Sequence, residues 1–126
     1  MSSIAQAASS LGTVTGGCHC GAVRFAVRGD FSSGISCNCS ICQKRGHLLG
    51  FVPAANFELV AGEDNLADYL FNRHVIHHLF CRDCGIESFA RAVGPDGNEM
   101  IAVNIRCLDD VDLSNVAVTP FDGRSR

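Results

Sequence analysis

Eight cysteines stand in a chain of 126 residues, and seven of them fall into three short clusters. The first is Cys18-His19-Cys20-Gly21, the second Cys37-Asn38-Cys39-Ser40-Ile41-Cys42, and the third Cys81-Arg82-Asp83-Cys84-Gly85, while Cys107 stands alone. Thiols this close on a turn can converge on one ion, and a glycine just after the second sulfur permits the backbone bend that convergence needs. Gly21 and Gly85 hold that position in the first and third clusters. Each of these clusters offers two ligands, and together Cys18, Cys20, Cys81 and Cys84 complete the closed four-thiolate tetrahedron of a structural zinc site. The opening run MSSIAQAASSLGTVTGG has neither a basic start nor an apolar block. The expectation is therefore a cytoplasmic, reducing setting in which such thiols bind metal rather than pair. Disulfides are the alternative, as is a redox pair at Cys81 and Cys84. A redox pair normally opens a helix after a strand, whereas GIESFA reads as strand.

The middle cluster differs in number. Cys37, Cys39 and Cys42 supply three ligands, and three protein ligands leave a fourth position for water or substrate. Cys107 could close the site into a second tetrahedron, since eight cysteines divide evenly into two, and His47 is another possible fourth ligand. Left open, three thiolates on a zinc ion carry a net charge of minus one and make a weak Lewis acid, which disfavours hydrolysis. A thiol guest suits such a site better, because bound as thiolate it keeps its nucleophilicity. The expected chemistry is activation of an external thiol for attack on a small carbonyl, or the reverse cleavage of that carbon–sulfur bond. Cys37, Cys39 and Cys42 are the expected catalytic ligands, with two zinc ions per chain.

The rest of the sequence reads as one domain. A hydrophobic fraction of 47% is too high for a disordered chain, and no apolar run approaches membrane-spanning length. A formal net charge of -3 argues against a nucleic-acid partner held by a basic face. The periodicity is two: Val23, Phe25 and Val27 share one face and Arg24 and Arg28 the other, and Ile101, Val103 and Ile105 align in EMIAVNI. Further strands are expected over His47–Val52, Phe57–Val60, Asp68–Phe71, Val75–Phe80 and Glu87–Val93. Gly29-Asp30, Gly62-Glu63 and Gly94-Pro95-Asp96-Gly97 supply the turns. Only Asn65–Leu70 and a turn near Ser40–Lys44 invite helix. The fold class is all-β, with small twisted sheets. Residues 1–16 read as a loose arm and residues 17–126 as the zinc-binding domain.

Other side chains bear on a thiol site. Lys44 and Arg45, just past the middle cluster, could pair with the carboxylates of an anionic thiol substrate, with Arg106 a weaker candidate. A solvated turn is the plainer reading of Lys44 and Arg45. His74, His77 and His78 precede the third cluster, and alternation puts His74 and His78 on one face with Ile76 and Phe80. His78 could hydrogen-bond a zinc thiolate, and Glu87 could accept a proton near the thiol. Surface or packing roles are the commoner fate of all four. Phe25, Phe51, Phe57, Phe80 and Phe89 read as core.

GGCHCGAVRF, CNCSIC followed by Gln43-Lys44, FCRDCGI, VNIRCLDD and PFDGRSR together resemble the glutathione-dependent formaldehyde-activating enzyme family, which includes the centromere protein V relatives. These motifs run from Gly16 to Arg126. The resemblance implies a tent-like zinc-bound β domain, shared with a chaperone that releases nucleotide from Rab GTPases. It implies a structural zinc on Cys18, Cys20, Cys81 and Cys84, and a catalytic zinc on Cys37, Cys39 and Cys42. It implies a carbon–sulfur lyase that forms and cleaves S-hydroxymethylglutathione, with glutathione as the small-molecule partner and formaldehyde as the carbonyl. Gln43-Lys44-Arg45-Gly46-His47 stands where many relatives carry a threonine-glycine-small pattern, which points to the lyase class more firmly than to its substrates. The rival reading is a non-catalytic zinc module that recognises a protein partner through its sheets. A chromatin role, by analogy with centromere protein V, ranks last on charge.

Overall fold

The computed structural model describes residues 12–70, 76–94 and 96–123. Among these residues two sheets form. The smaller has the order β1 (Thr13–Gly17), β2 (Arg24–Arg28), β5 (Phe57–Ala61). The larger has seven strands in the order β10 (Ala117–Phe121), β3 (Ser33–Cys37), β4 (Leu49–Pro53), β9 (Glu99–Asn104), β8 (Phe89–Val93), β7 (His77–Cys81), β6 (Leu66–Tyr69). All pairings are antiparallel except β10 with β3, which run parallel with Phe121 opposite Cys37. Among the described residues one α-helix, α1 (Ser40–Arg45), follows β3.

Strand alternation decides what each face of the large sheet does. Val52, Phe89, Ile101 and Val103 point one way and are almost wholly buried. They meet Phe25 and Val27 of β2 and Val23 just before it, so the two sheets share one core. Phe25 stacks on Phe57 with centroids 5.3 Å apart and meets Phe89 edge-on at 6.4 Å, while Phe57 and Phe89 sit 4.6 Å apart. This aromatic triad bridges β2 and β5 to β8, and such pairs add to plain area burial.

The opposite face carries Leu49, Phe51, Ala90, Ala92, Met100 and Ala102. Phe51 therefore departs from its expected core role: it is 52% exposed. The reason is register. Its neighbours Gly50 and Val52 take the core side, where Gly50 lies against Phe31 and Ile105.

Other expectations change for the same kind of reason. Thr13–Gly17 pairs residue for residue with β2, so the arm expected over residues 1–16 gives way to strand from Thr13. The segment expected to invite helix at Asn65–Leu70 is a 3-10 turn over Glu63–Asn65 and then β6, because Leu66 to Tyr69 pair with Cys81 to His78. β3 and β10 were not expected at all. The strands over 49–53, 57–61, 77–81 and 89–93, the helix after Ser40 and the turn around Gly94 and Gly97 agree with the sequence reading. His74 and Phe71 lie outside the described residues.

Truncating the bridge should be costly. Phe25→Ala is expected to lower stability by about 3–5 kcal/mol. The check is the urea midpoint at fixed metal concentration, with an unchanged slope marking a loss of stability rather than of cooperativity.

Candidate metal centres and active site

Cys18 and Cys20 lie on the turn from β1 to β2, Cys81 ends β7, and Cys84 lies on the turn from β7 to β8. Gly21 at φ 85° and Gly85 at φ 79° bend the two turns in the left-handed region that side chains resist. Their amides close the turns on the carbonyls of Cys18 and Cys81. The four sulfurs lie within 4.8 Å of one another. Cys20 Sγ is 3.6 Å from Cys18 Sγ and 3.7 Å from Cys81 Sγ. Sulfurs about 2.3 Å from a tetrahedral zinc stand roughly 3.8 Å apart, whereas a disulfide needs about 2.05 Å. The spacing fits a metal ion, and all the thiols are free.

Donors reinforce the fit. Val23 N–H donates to Cys18 Sγ at 3.3 Å; Asn65 Nδ2 and Asp83 N–H donate to Cys81 Sγ at 3.2 and 3.4 Å. Hydrogen bonds of this kind favour the thiolate. Burial pushes the Cys84 thiol up, but the amides of Cys20 and Ile86 outweigh it and bring the pKa to about 6. The Ala22 amide pulls Cys20 down, yet the neighbouring sulfurs, Cys18 foremost, force it up to about 12. Without a cation, sulfurs this crowded cannot ionise together.

The middle group, Cys37, Cys39 and Cys42, also has its sulfurs within 4.8 Å of one another. Cys37 ends β3, Cys39 caps the N-terminus of α1, and Cys42 lies buried in the helix. The winding of α1 turns Cys42 back toward Cys39, and Cys39 N–H donates to Cys37 Sγ at 3.4 Å. Neither Cys107 nor His47 belongs to this group. The Cys107 thiol faces the Glu87 carbonyl at 4.0 Å, and burial pushes its pKa up. Both clusters could hold a metal ion, one through four sulfurs and the other through three.

A cavity of about 330 Å³ opens beside the three sulfurs over the second face of the large sheet. His47, His78 and Glu87 also line it, and all three are buried. Glu87 is their hub: it pairs with Arg45, accepts or shares a proton with His78 Nδ1 at 3.1 Å, and lies 3.5 Å from His47 Nε2. His78 Nδ1 thus turns to Glu87, whereas a zinc thiolate is the partner the sequence suggests for it. His47 Nε2 is buried without a hydrogen-bond partner. Burial, with help from Arg45 and His78 and against the pull of Glu87, lowers the His47 pKa below 6.5.

The cations fall differently from expectation. Arg45 is tied to Glu87 and lies over the rings of Phe80 and Tyr69, 5.4 and 5.8 Å from their centroids. Lys44 shares a shallow hollow with Arg45 and Tyr69 that contains no cysteine. It is Arg106 that reaches the sulfurs' neighbourhood. It lines a second, more polar cleft of about 580 Å³ with Asn38, Gln43 and Asp122, and that cleft shares Cys37, Cys42 and His47 with the apolar cavity.

Two site residues escaped the sequence reading. β10 brings Phe121 alongside Cys37, where it borders both cavities. Gly123 follows, and a Cβ there would stand 2.5 Å from Cys37 Sγ and 3.1 Å from Cys39 Cβ. The closing motif PFDG carried that signal, but only a parallel pairing across some eighty residues makes it part of the site.

The two centres should respond separately. Cys84→Ser is expected to lose metal and unfold the chain, while Cys39→Ser keeps the fold and releases only the ion at the middle cluster. Gly123→Ala should act like Cys39→Ser, because its methyl displaces the Cys37 sulfur. Metal per chain by elemental analysis, read beside circular dichroism, checks all three.

The sequence model of a family described as glutathione-dependent formaldehyde-activating enzyme matches residues 13–121. A crystal structure of a Rhodobacter sphaeroides protein, solved as a structural-genomics target, superposes with a TM-score of 0.72 at 33% identity. The match covers 83% of this chain and 99% of that one.

Proposed function

Since the chain belongs to the glutathione-dependent formaldehyde-activating enzyme family, we propose that it is a zinc-dependent carbon–sulfur lyase joining a thiol such as glutathione to a small aldehyde, reversibly, at Cys37, Cys39 and Cys42. The observation that carries this reading is the three-sulfur group beside a cavity holding a buried, unpartnered imidazole nitrogen. Cys37, Cys39 and Cys42 would hold the zinc, which would favour the thiolate form of a thiol bound beside them.

The chain's own residues supply the rest. His47, kept neutral by burial, takes the thiol proton at Nε2. Glu87 Oε1, 3.5 Å away, stabilises the imidazolium that results. The sulfur then forms its bond to the carbonyl carbon, the C=O electron pair moves to oxygen, and His47 returns the proton to that oxygen. No atom is lost, so cleavage retraces the same path. His78 holds Glu87 from the other side, and Arg45 compensates its buried charge. Arg106, in the polar cleft, pairs with a carboxylate of the thiol substrate. The Cys18, Cys20, Cys81 and Cys84 zinc is structural.

His47→Gln should lower kcat for glutathione-dependent aldehyde turnover by about 100- to 10,000-fold while leaving two zinc ions per chain. The sign of the pH effect follows from the lowered pKa. The base form dominates above it, so wild-type kcat falls only as pH drops through a value under 6.5. The variant should lose that acidic limb, and a pH profile retaining it would assign the proton to another group.

A further inference from the structure

We propose that the apolar cavity receives the hydrocarbon body of the carbonyl partner, so that the preferred carbonyl is an aldehyde with a medium aliphatic chain or an aromatic ring rather than formaldehyde. The inference rests on the thiol–carbonyl reading above and adds the substrate class.

Size comes first. The cavity measures about 330 Å³. A water's share of liquid volume is about 30 Å³, and formaldehyde, with two heavy atoms, is little larger. It would fill roughly a tenth of the space. Pockets that bury whole small molecules begin near 300 Å³.

The walls come next. Away from the cysteines, His47, His78 and Glu87, every described residue lining the cavity is apolar. The room exists because Ala90, Ala92 and Ala102 occupy positions from which larger side chains would fill it. At the rim Phe51, Ile76 and Phe121 stay 52%, 45% and 40% exposed. A peptide-like thiol cannot settle here, because its amides and carboxylates would lose water without finding partners. The polar cleft beyond Cys37 and Cys42 suits such a thiol instead, with Asn38, Gln43 and Arg106. Cys37, Cys42 and His47 border both spaces, so a hydrophilic thiol from one side and an apolar carbonyl from the other would meet there. The step itself is unchanged: the sulfur bonds to the carbonyl carbon and the oxygen gains the proton. Only the substituent on that carbon differs.

Two measurements on the zinc-loaded chain test this. The first is kcat/KM with glutathione, above the uncatalysed rate, for formaldehyde, propanal, hexanal and benzaldehyde. Each added methylene should gain roughly fourfold until the cavity is full, or about 60-fold from propanal to hexanal. Ala102→Phe, or the milder Ala92→Leu should the first not fold, should cut hexanal kcat/KM at least about tenfold more than that of formaldehyde. The second measurement needs no turnover. The chain has two methionines, and Met100 lines the cavity. In protein labelled at the methionine methyls, n-hexanol should shift the Met100 signal and spare that of Met1. Rates indifferent to chain length would overturn this inference and leave the thiol–carbonyl reading standing. Turnover of none of the aldehydes would remove that reading instead. Met100 then decides the cavity by itself: a shifted signal supports a hydrocarbon site, and an unmoved one ends the proposal.

Discussion

Four sulfurs from two distant turns meet at a spacing that suits one metal ion, and the placement of everything else depends on that meeting. Cys18 and Cys20 belong to the small sheet, while Cys81 and Cys84 belong to the large one. An ion here ties the two sheets at one end of the core that the aromatic triad of Phe25, Phe57 and Phe89 bridges. The magnitudes explain why a metal clip matters in a chain this short. Structural zinc contributes about 10–16 kcal/mol of apparent binding in peptide systems, against a net domain stability of about 5–15 kcal/mol. Folding and metal uptake are then one equilibrium.

How much of this the sequence carries depends on the range of the interaction. The cysteine spacing, the glycines after the first and third pairs and the alternation in AVRFAV and EMIAVNI are local, and each appears in the structure, although Ile105, buried with Ile101 and Val103, opens a 3-10 turn past the end of β9. The helix around Cys39 to Arg45 is local too. What stayed hidden is set by pairing. β10 is exposed along its whole length and has no alternating pattern to announce it; it exists because β3 offers it a parallel partner. β6 carries a helix-compatible segment that β7 draws into the sheet. Phe51 has the chemistry of a core residue and the register of a surface one. In each case a long-range hydrogen-bond ladder overrides a short-range preference.

The site shows the same division. The three cysteines of the middle cluster could be named from spacing, and so could the two basic residues after them. Arg45 illustrates what spacing omits. Read as a substrate cation, it turns out to serve Glu87, a carboxylate buried beneath the cavity. A buried carboxylate without partners is costly, and Arg45, His47 and His78 surround this one. No sequence distance links residue 45 to residue 87; only the fold brings Arg45, at the end of α1, to Glu87, two residues before β8.

That arrangement has a consequence for the electrostatics of the reaction. Three thiolates on a dication leave one negative charge, and Glu87 adds a second nearby. Arg45 returns one positive charge, and His47, its pKa lowered by burial, holds another only while a proton is in transit. A neutral His47 beside a net anionic centre is a good place to receive a proton from a thiol, because the imidazolium it becomes is attracted to Glu87 at 3.5 Å. On the thiol–carbonyl reading proposed above, the same field would repel a substrate carboxylate, which would keep the anionic ends of a glutathione-like thiol out in the cleft with Arg106 and leave the cavity over Ala90 and Ala102 to an uncharged partner. Charge and polarity would thus sort the two proposed reactants to opposite flanks of the cysteines before any bond is made.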